Sequence, residues 1–266
     1  MTPAAVARAA ALAGPARATA FVGHAHAASR VWRWDGERAT IFVKQHTQPR
    51  KYAQERLAYG WLGPRFADVL PALWAAEGDT LFLSAVPGVH ADPPAPSVAA
   101  AAGRWIASVH AAPWTDADPL PLVDAVARRL AMTRARGRVA LPAALDGWVG
   151  AFAGVSRVWC HRDFTPRNWL TGPDGLRVID LEHAMPDAAA WDVARASCQL
   201  SPEAFAAFCE GYGPLPDPRQ IRLMRWLFAA GTVQWGEDHG DRAFAEEGRR
   251  WVAALCADDD ALPRSG

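Results

Sequence analysis

The run Cys160-His161-Arg162-Asp163-Phe164-Thr165-Pro166-Arg167-Asn168, followed by Val178-Ile179-Asp180-Leu181-Glu182, carries three oxygen-bearing side chains in the order and spacing of a phosphoryl-transfer site. Asp163 can accept a proton from an attacking hydroxyl, and Asn168 and Asp180 can hold Mg²⁺ against nucleotide phosphates. Asp and Asn are also common turn formers. Here order, spacing and strand-like flanks agree, which favours the chemical reading. A loose, metaphosphate-like transition state demands little base strength, so orienting the hydroxyl is part of the task of Asp163. His161 is expected to orient the loop and not to transfer protons. Because nucleotide and carboxylates are all negative, Mg²⁺ and a lysine must neutralise them.

The elements that would position these groups can be read along the chain. Residues 18–45 look like strands, with Asp35-Gly36 as a hairpin signal before Ala39-Thr40-Ile41-Phe42-Val43-Lys44. Lys44, at the end of that strand, is placed to bridge nucleotide phosphates, and Glu55 in the helix over 50–62 is placed to pair with it; their bland alternatives are solvated charges. The loop Gly23-His24-Ala25-His26-Ala27-Ala28-Ser29 has one glycine. Its backbone and the Ser29 hydroxyl can contact phosphate, or the segment is a plain turn. Thr80 to Val86 reads as a strand whose backbone at Ser84 to Val86 can bond a purine edge. From about residue 97 the chain turns mostly helical, with helices over 97–110, 122–136, 190–212, 217–236 and 241–256. His110 reads as a buried helix-end histidine with a structural hydrogen bond. Asp192 either supports the catalytic loop from beneath or caps a helix.

Bulk composition narrows the function classes. The chain has 266 residues, 51% of them apolar, enough for a sizeable core. Lys+Arg and Asp+Glu both number 28, so no basic surface points to nucleic acid. The Ala-rich stretch Ala4 to Ala13 reads as a short helix rather than a signal peptide, and no apolar run suits a membrane span. Cys160, Cys198, Cys209 and Cys256 lack metal-ligand spacing and read as free buried thiols of a cytoplasmic protein.

With these residues in place, the chain resembles the aminoglycoside phosphotransferase and choline kinase superfamily, relatives of protein kinases. The resemblance runs through Phe42-Val43-Lys44, Glu55, Val109-His110-Ala111-Ala112-Pro113, His161 to Asn168, Ile179-Asp180 and Trp191-Asp192. It implies an α+β, protein-kinase-like two-lobed fold. A small β-rich nucleotide-binding lobe would span 1–88, and a helical lobe with the catalytic loop and acceptor site 89–266. No Ala-Pro-Glu segment follows Asp180. The resemblance therefore implies a constitutively competent kinase, a monomer or homodimer, using ATP or GTP and Mg²⁺ to phosphorylate a small-molecule hydroxyl.

The acceptor is less sharply marked. An aminoglycoside needs an acidic pocket, for which Glu182, Glu237, Asp238 and Asp241 are candidates, with Glu246 and Glu247 behind them. A quaternary ammonium needs an aromatic cage, for which Trp191, Trp226 and Trp235 are candidates, although helical Trp is more often core. The segment Gln234 to Asp241 mixes both chemistries. A peptide Ser/Thr kinase and a non-catalytic nucleotide-binding protein are the alternatives. The joint presence of Lys44, Asp163, Asn168 and Asp180 argues against the last.

Overall fold

The alternation Arg30-Val31-Trp32-Arg33-Trp34 and the run ending at Lys44 pair as the central hairpin of a five-stranded antiparallel sheet. In the structure, a computed structural model that describes residues 1–22, 29–114 and 120–260 (the last three as backbone only), the chain divides into two units. The first comprises Met1–Ala102 and His161–Met185, the second Gly103–Cys160 and Pro186–Gly266.

In the first unit, β1 (Ala16–Phe21), β2 (Ser29–Gly36), β3 (Thr40–His46), β4 (Leu73–Glu77) and β5 (Thr80–Ser84) lie in the order β1-β2-β3-β5-β4. β3 is the middle strand, and Lys44 is flanked by Val31 of β2 and Leu81 of β5. Helix α1 (Pro3–Ala13) starts with Thr2 Oγ1 accepting from the Ala5 N–H at 3.2 Å. Its small face, Ala5, Ala9 and Ala13, packs on Trp34, Ile41, Val43 and Phe82. The approach is so close that a Cβ on Gly36 would lie 2.3 Å from the Ala13 carbonyl oxygen. Gly36 therefore serves this contact, and the hairpin reverses just past it, with the Gly36 N–H donating to the Ala39 carbonyl at 3.0 Å.

Helix α2 (Pro49–Leu62) has proline at its first position, where the missing N–H costs nothing. It turns Glu55, Ala58, Tyr59 and Leu62 inward at the i, i+3, i+4, i+7 spacing. One inward position is a carboxylate, which blurs the apolar periodicity. β6 (Val89–His90), β8 (Trp169–Gly172) and β9 (Gly175–Val178) form a second sheet in the order β6-β8-β9. β5 stops at Ser84, so Val86 lies beyond the strand expected to reach it.

The second unit contains β7 (Val158–Cys160), the C-terminal part of α3 (Pro96–Ala111), α4 (Leu122–Arg136), α5 (Leu145–Val149), α6 (Ala190–Gln199), α7 (Pro202–Tyr212), α8 (Pro218–His239) and α9 (Arg242–Asp260). Leu122, Val126 and Leu130 of α4 form a stripe that packs into one core with Leu223, Met224, Trp226 and Leu227 of α8. Helical structure over 190–212 is broken before Pro202, where Ser201 Oγ accepts from the Ala204 N–H at 3.2 Å. The four cysteines are free, but only Cys160 is buried, which corrects the expectation for the other three. Among the described residues no helix is long and apolar enough to cross a membrane.

Helices α3 and α7 touch through backbone: a Cβ on Gly103 would lie 2.1 Å from the Phe208 carbonyl oxygen. Gly103→Ala is expected to cost about 1–3 kcal/mol through overpacking. Differential scanning calorimetry should show Tm lower by several degrees, and an unchanged melt would exclude that close approach.

Candidate active site

Strand side chains alternate, so in a middle strand one face must be covered by other parts of the protein. Lys44 and His46 both project toward α2, where Glu55 waits. The chain needs only Thr47 and Gln48 to pass from β3 to α2. Lys44 Nζ lies 2.9 Å from Glu55 Oε2, 2.6 Å from Asp180 Oδ1 and 3.2 Å from Glu182 Oε2. Burial by itself would push the Lys44 pKa down, but Asp180, Glu55 and Glu182 outweigh it and hold the ammonium well above the ordinary lysine range. Glu55 is the mirror case. Burial would raise it, while Lys44 and His46 keep it below the usual carboxylate range. Both partners stay ionised at neutral pH.

The run Cys160 to Asn168 leads from the end of β7 to the start of β8. Asn168 Nδ2 donates to the Asp163 carbonyl at 2.8 Å and to Asp163 Oδ2 at 3.0 Å, fixing that carboxylate. The amide nitrogen is thereby spent, which leaves Asn168 Oδ1 as the atom to offer a cation. His161 is buried, and its Nδ1 accepts from the Asp163 N–H at 3.3 Å. Its Nε2 then carries the hydrogen and donates to the Ile179 carbonyl at 3.1 Å. The Ile179 N–H in turn donates to the Asn168 carbonyl at 3.0 Å. The loop that bears Asp163 is thus laced to the residue before Asp180. Asp180 and Arg162 have φ of 67° and 63°. Left-handed backbone at non-glycine positions costs free energy and gathers at functional sites.

Other expected residues are distributed as follows. Ser29 Oγ donates to Glu182 Oε2 at 3.1 Å, while residues 23–28 of the same loop lie outside the described residues. The Ser84 N–H donates to the Ala72 carbonyl at 2.9 Å, and Ser84 Oγ accepts from the Ala72 N–H at 2.8 Å. Val86 is half-buried with no backbone hydrogen bond among the described residues. Glu182, read from sequence as facing the acceptor, spends its carboxylate on Lys44, Ser29 and His183 Nε2, the last at 3.3 Å. Burial raises its pKa, but His183, Lys44 and Lys51 more than reverse that. Lys51 itself donates to the Glu182 carbonyl at 3.3 Å and to His183 Nδ1 at 2.8 Å.

In the second unit, Glu237 meets Arg249 at 2.6 Å and Arg138 at 3.5 Å, and Asp238 meets Arg138 at 3.4 Å. Trp235 is partly exposed and stacks on His239 with centroids 4.3 Å apart. Trp226 is fully buried in the helical core and cannot wall a ligand cage. Trp191 lies under the Arg129 guanidinium at 4.7 Å. Asp192 is buried and accepts from His110 Nε2 at 3.1 Å, while His110 Nδ1 meets the Tyr212 hydroxyl at 2.8 Å. Sequence reasoning overlooked His46 and Lys51. The period of two from Lys44 marks His46, and the first turn of α2 marks Lys51.

Comparison with known proteins gives this arrangement a context. A search of curated proteins finds no match. Among solved structures, macrolide 2′-phosphotransferase MphH from Brachybacterium faecium superposes with a TM-score of 0.66 at 18% identity, covering 100% of both chains. Choline kinase LicA from Streptococcus pneumoniae gives 0.66 at 14% identity over 94% of this chain and 97% of that one. Plasmodium vivax ethanolamine kinase gives 0.63 at 14% identity over 90% and 82%. At such identities the likeness shows the fold, which is the protein-kinase-like one. The sequence model of the phosphotransferase enzyme family matches residues 19–224 and so takes in β3, α2, the run Cys160 to Asn168 and Asp180. The chain belongs to the phosphotransferase enzyme family.

Proposed function

We propose that the protein transfers the γ-phosphoryl group of ATP or GTP, with Mg²⁺, to a hydroxyl of a small molecule. One observation carries the reading. Lys44, Glu55 and Asp180, from a strand, a helix and a distant turn, share one ion-pair cluster. In this reading Asn168 Oδ1 and an Asp180 carboxylate oxygen would hold Mg²⁺, which would supply charge neutralisation for the phosphate oxygens. Glu55 directs the Lys44 ammonium to the phosphates. Ser29 Oγ stands beside the same cluster, and the Val86 backbone suits a purine edge, whereas the Ser84 N–H is already engaged. As the acceptor oxygen bonds to phosphorus, its proton passes to Asp163, the bond to the bridging oxygen breaks, and the nucleoside diphosphate departs. His161 and Asp192 act by supporting geometry.

For the acceptor side we assign the segment around Trp235, Glu237 and Asp238. Arg138 and Arg249 already match its carboxylates. A polycationic acceptor would have to displace guanidinium groups, whereas an acceptor with at most one ammonium group would not. The test is ADP or GDP release with Mg²⁺ and pooled acceptors (amino alcohols, sugars, macrolides, aminoglycosides, nucleosides and Ser/Thr peptides), with Asp163→Asn protein as the blank. Release confined to wild type and one pool supports the reading. No release and no binding of Mg·ATP or Mg·GTP sinks it. Lys44→Met should lower kcat/KM for the nucleotide by about 10²–10³-fold, the scale of losing one charge-stabilising donor. It should also lower Tm, because Glu55 then loses a partner for a buried charge. Steady-state kinetics and a thermal melt on one preparation check both.

A further inference from the structure

β3 presents a second side chain beside Lys44. His46 is buried, with no exposed side-chain surface, and its Nε2 lies 2.8 Å from Glu55 Oε2. Lys44 Nζ lies 2.9 Å from the same oxygen and donates to Glu55 Oε1 at 3.1 Å, whereas the His46 ring meets Oε2 at ion-pair distance without hydrogen-bond alignment. Glu55 has no exposed side-chain surface either. A carboxylate in such a place keeps its charge only where donors replace the lost water. Lys44 is an incomplete substitute, since its ammonium also serves Asp180 and Glu182. The His46 ring is itself held. Its backbone N–H donates to the Asp79 carbonyl at 2.9 Å, and Tyr52 meets the ring edge-on with centroids 6.1 Å apart.

We propose that His46 is a positioning residue for nucleotide binding: it fixes the Glu55 carboxylate so that Glu55 can fix Lys44. The inference rests on the kinase reading above. The groups facing Glu55 are Lys44 and His46 from β3, Tyr59 from its own helix and Glu182 from the turn after β9. Of these, Lys44 and His46 favour the ionised carboxylate, while Tyr59 and Glu182 carry no positive charge. Glu55 has a folded pKa below its ordinary value, so its ionised form persists until pH falls through that lowered value. Removing His46 takes away one of the two groups holding the pKa down. Protonation of Glu55 then begins at higher pH, and the acid limb of nucleotide binding moves up with it.

The test is titration of wild type, His46→Leu, His46→Gln, Glu55→Gln and the double variant with Mg·ATP and Mg·GTP from pH 5 to 8.5, with circular dichroism to confirm folding. His46→Leu should bind about tenfold more weakly at the acid end, the scale of losing one close polar contact to a buried charge. The loss should shrink toward pH 8.5. His46→Gln, whose amide can donate to Glu55, should recover most of the affinity. In the Glu55→Gln background, His46→Leu should add little, because a residue acting through Glu55 has nothing left to hold. Wild-type binding with an unchanged acid limb in His46→Leu overturns the inference and leaves the kinase reading standing. So does an equal, additive loss at every pH without recovery by glutamine, which would mark a packing role. If wild type binds neither nucleotide, the kinase reading fails and this inference fails with it.

Discussion

Asp163→Asn should lower turnover by about 10²–10⁴-fold, the range for losing a positioned proton acceptor. The substitution suits the question because it spares the local geometry. Asn168 Nδ2 donates to the carbonyl and to one side-chain oxygen of Asp163, and an asparagine at 163 retains both acceptors. His161 accepts from the backbone N–H of the same residue, which is unaffected. Loss of rate with Mg-nucleotide affinity held within about threefold would assign Asp163 to the chemical step, since a change confined to kcat marks an interaction made only in the transition state. Turnover near the wild-type rate in a saturating assay would remove Asp163 from the mechanism.

Asp180→Asn should be at least as severe and should differ in kind. A carboxylate that holds the metal governs both charge neutralisation and nucleotide affinity, so kcat should fall by about 10³-fold or more while the apparent Kd for Mg-nucleotide rises. Backbone geometry makes asparagine the right replacement. With φ at 67°, position 180 tolerates asparagine far better than alanine, because Asn is one of the few residues that visit left-handed backbone readily. Lys44 would keep Glu55 and Glu182 as partners, so the melt should move little. Isothermal titration with Mg·ATP and Mg·GTP checks the binding half. Unchanged affinity across a range of Mg²⁺ concentrations would exclude Asp180 as a ligand.

The parts of this site most legible in the sequence are those whose geometry is local. Asp163, Asn168 and Asp180 fall on a loop and a short hairpin, where order along the chain nearly determines order in space. Lys44 and α2 were legible because β3 and the helix each announce themselves by composition. What escaped notice depends on lateral packing. His46 meets Glu55 only when β3 and α2 lie side by side, and no local pattern specifies that. The backbone at Asp180 is left-handed without a glycine to advertise it, and Glu182, two residues on, turns its carboxylate to Lys44. The pairing of Glu237 and Asp238 with Arg138 spans about a hundred residues, so their charges looked available when they were matched.

The first unit is assembled from two stretches of chain, Met1–Ala102 and His161–Met185, and this governs the order in which it can be completed on the ribosome. When residue 102 emerges, every residue of the five-stranded sheet and of α2 has been made, yet β6 has no strand to pair with and Lys44 has one of its three carboxylates. At synthesis rates of about 5–20 residues per second, several seconds pass before Asp180 and Glu182 follow. Over that interval the nascent lysine and Glu55 have only each other and His46 to satisfy two charges that the finished protein buries. A fragment ending at residue 102 would be held permanently in that unfinished condition.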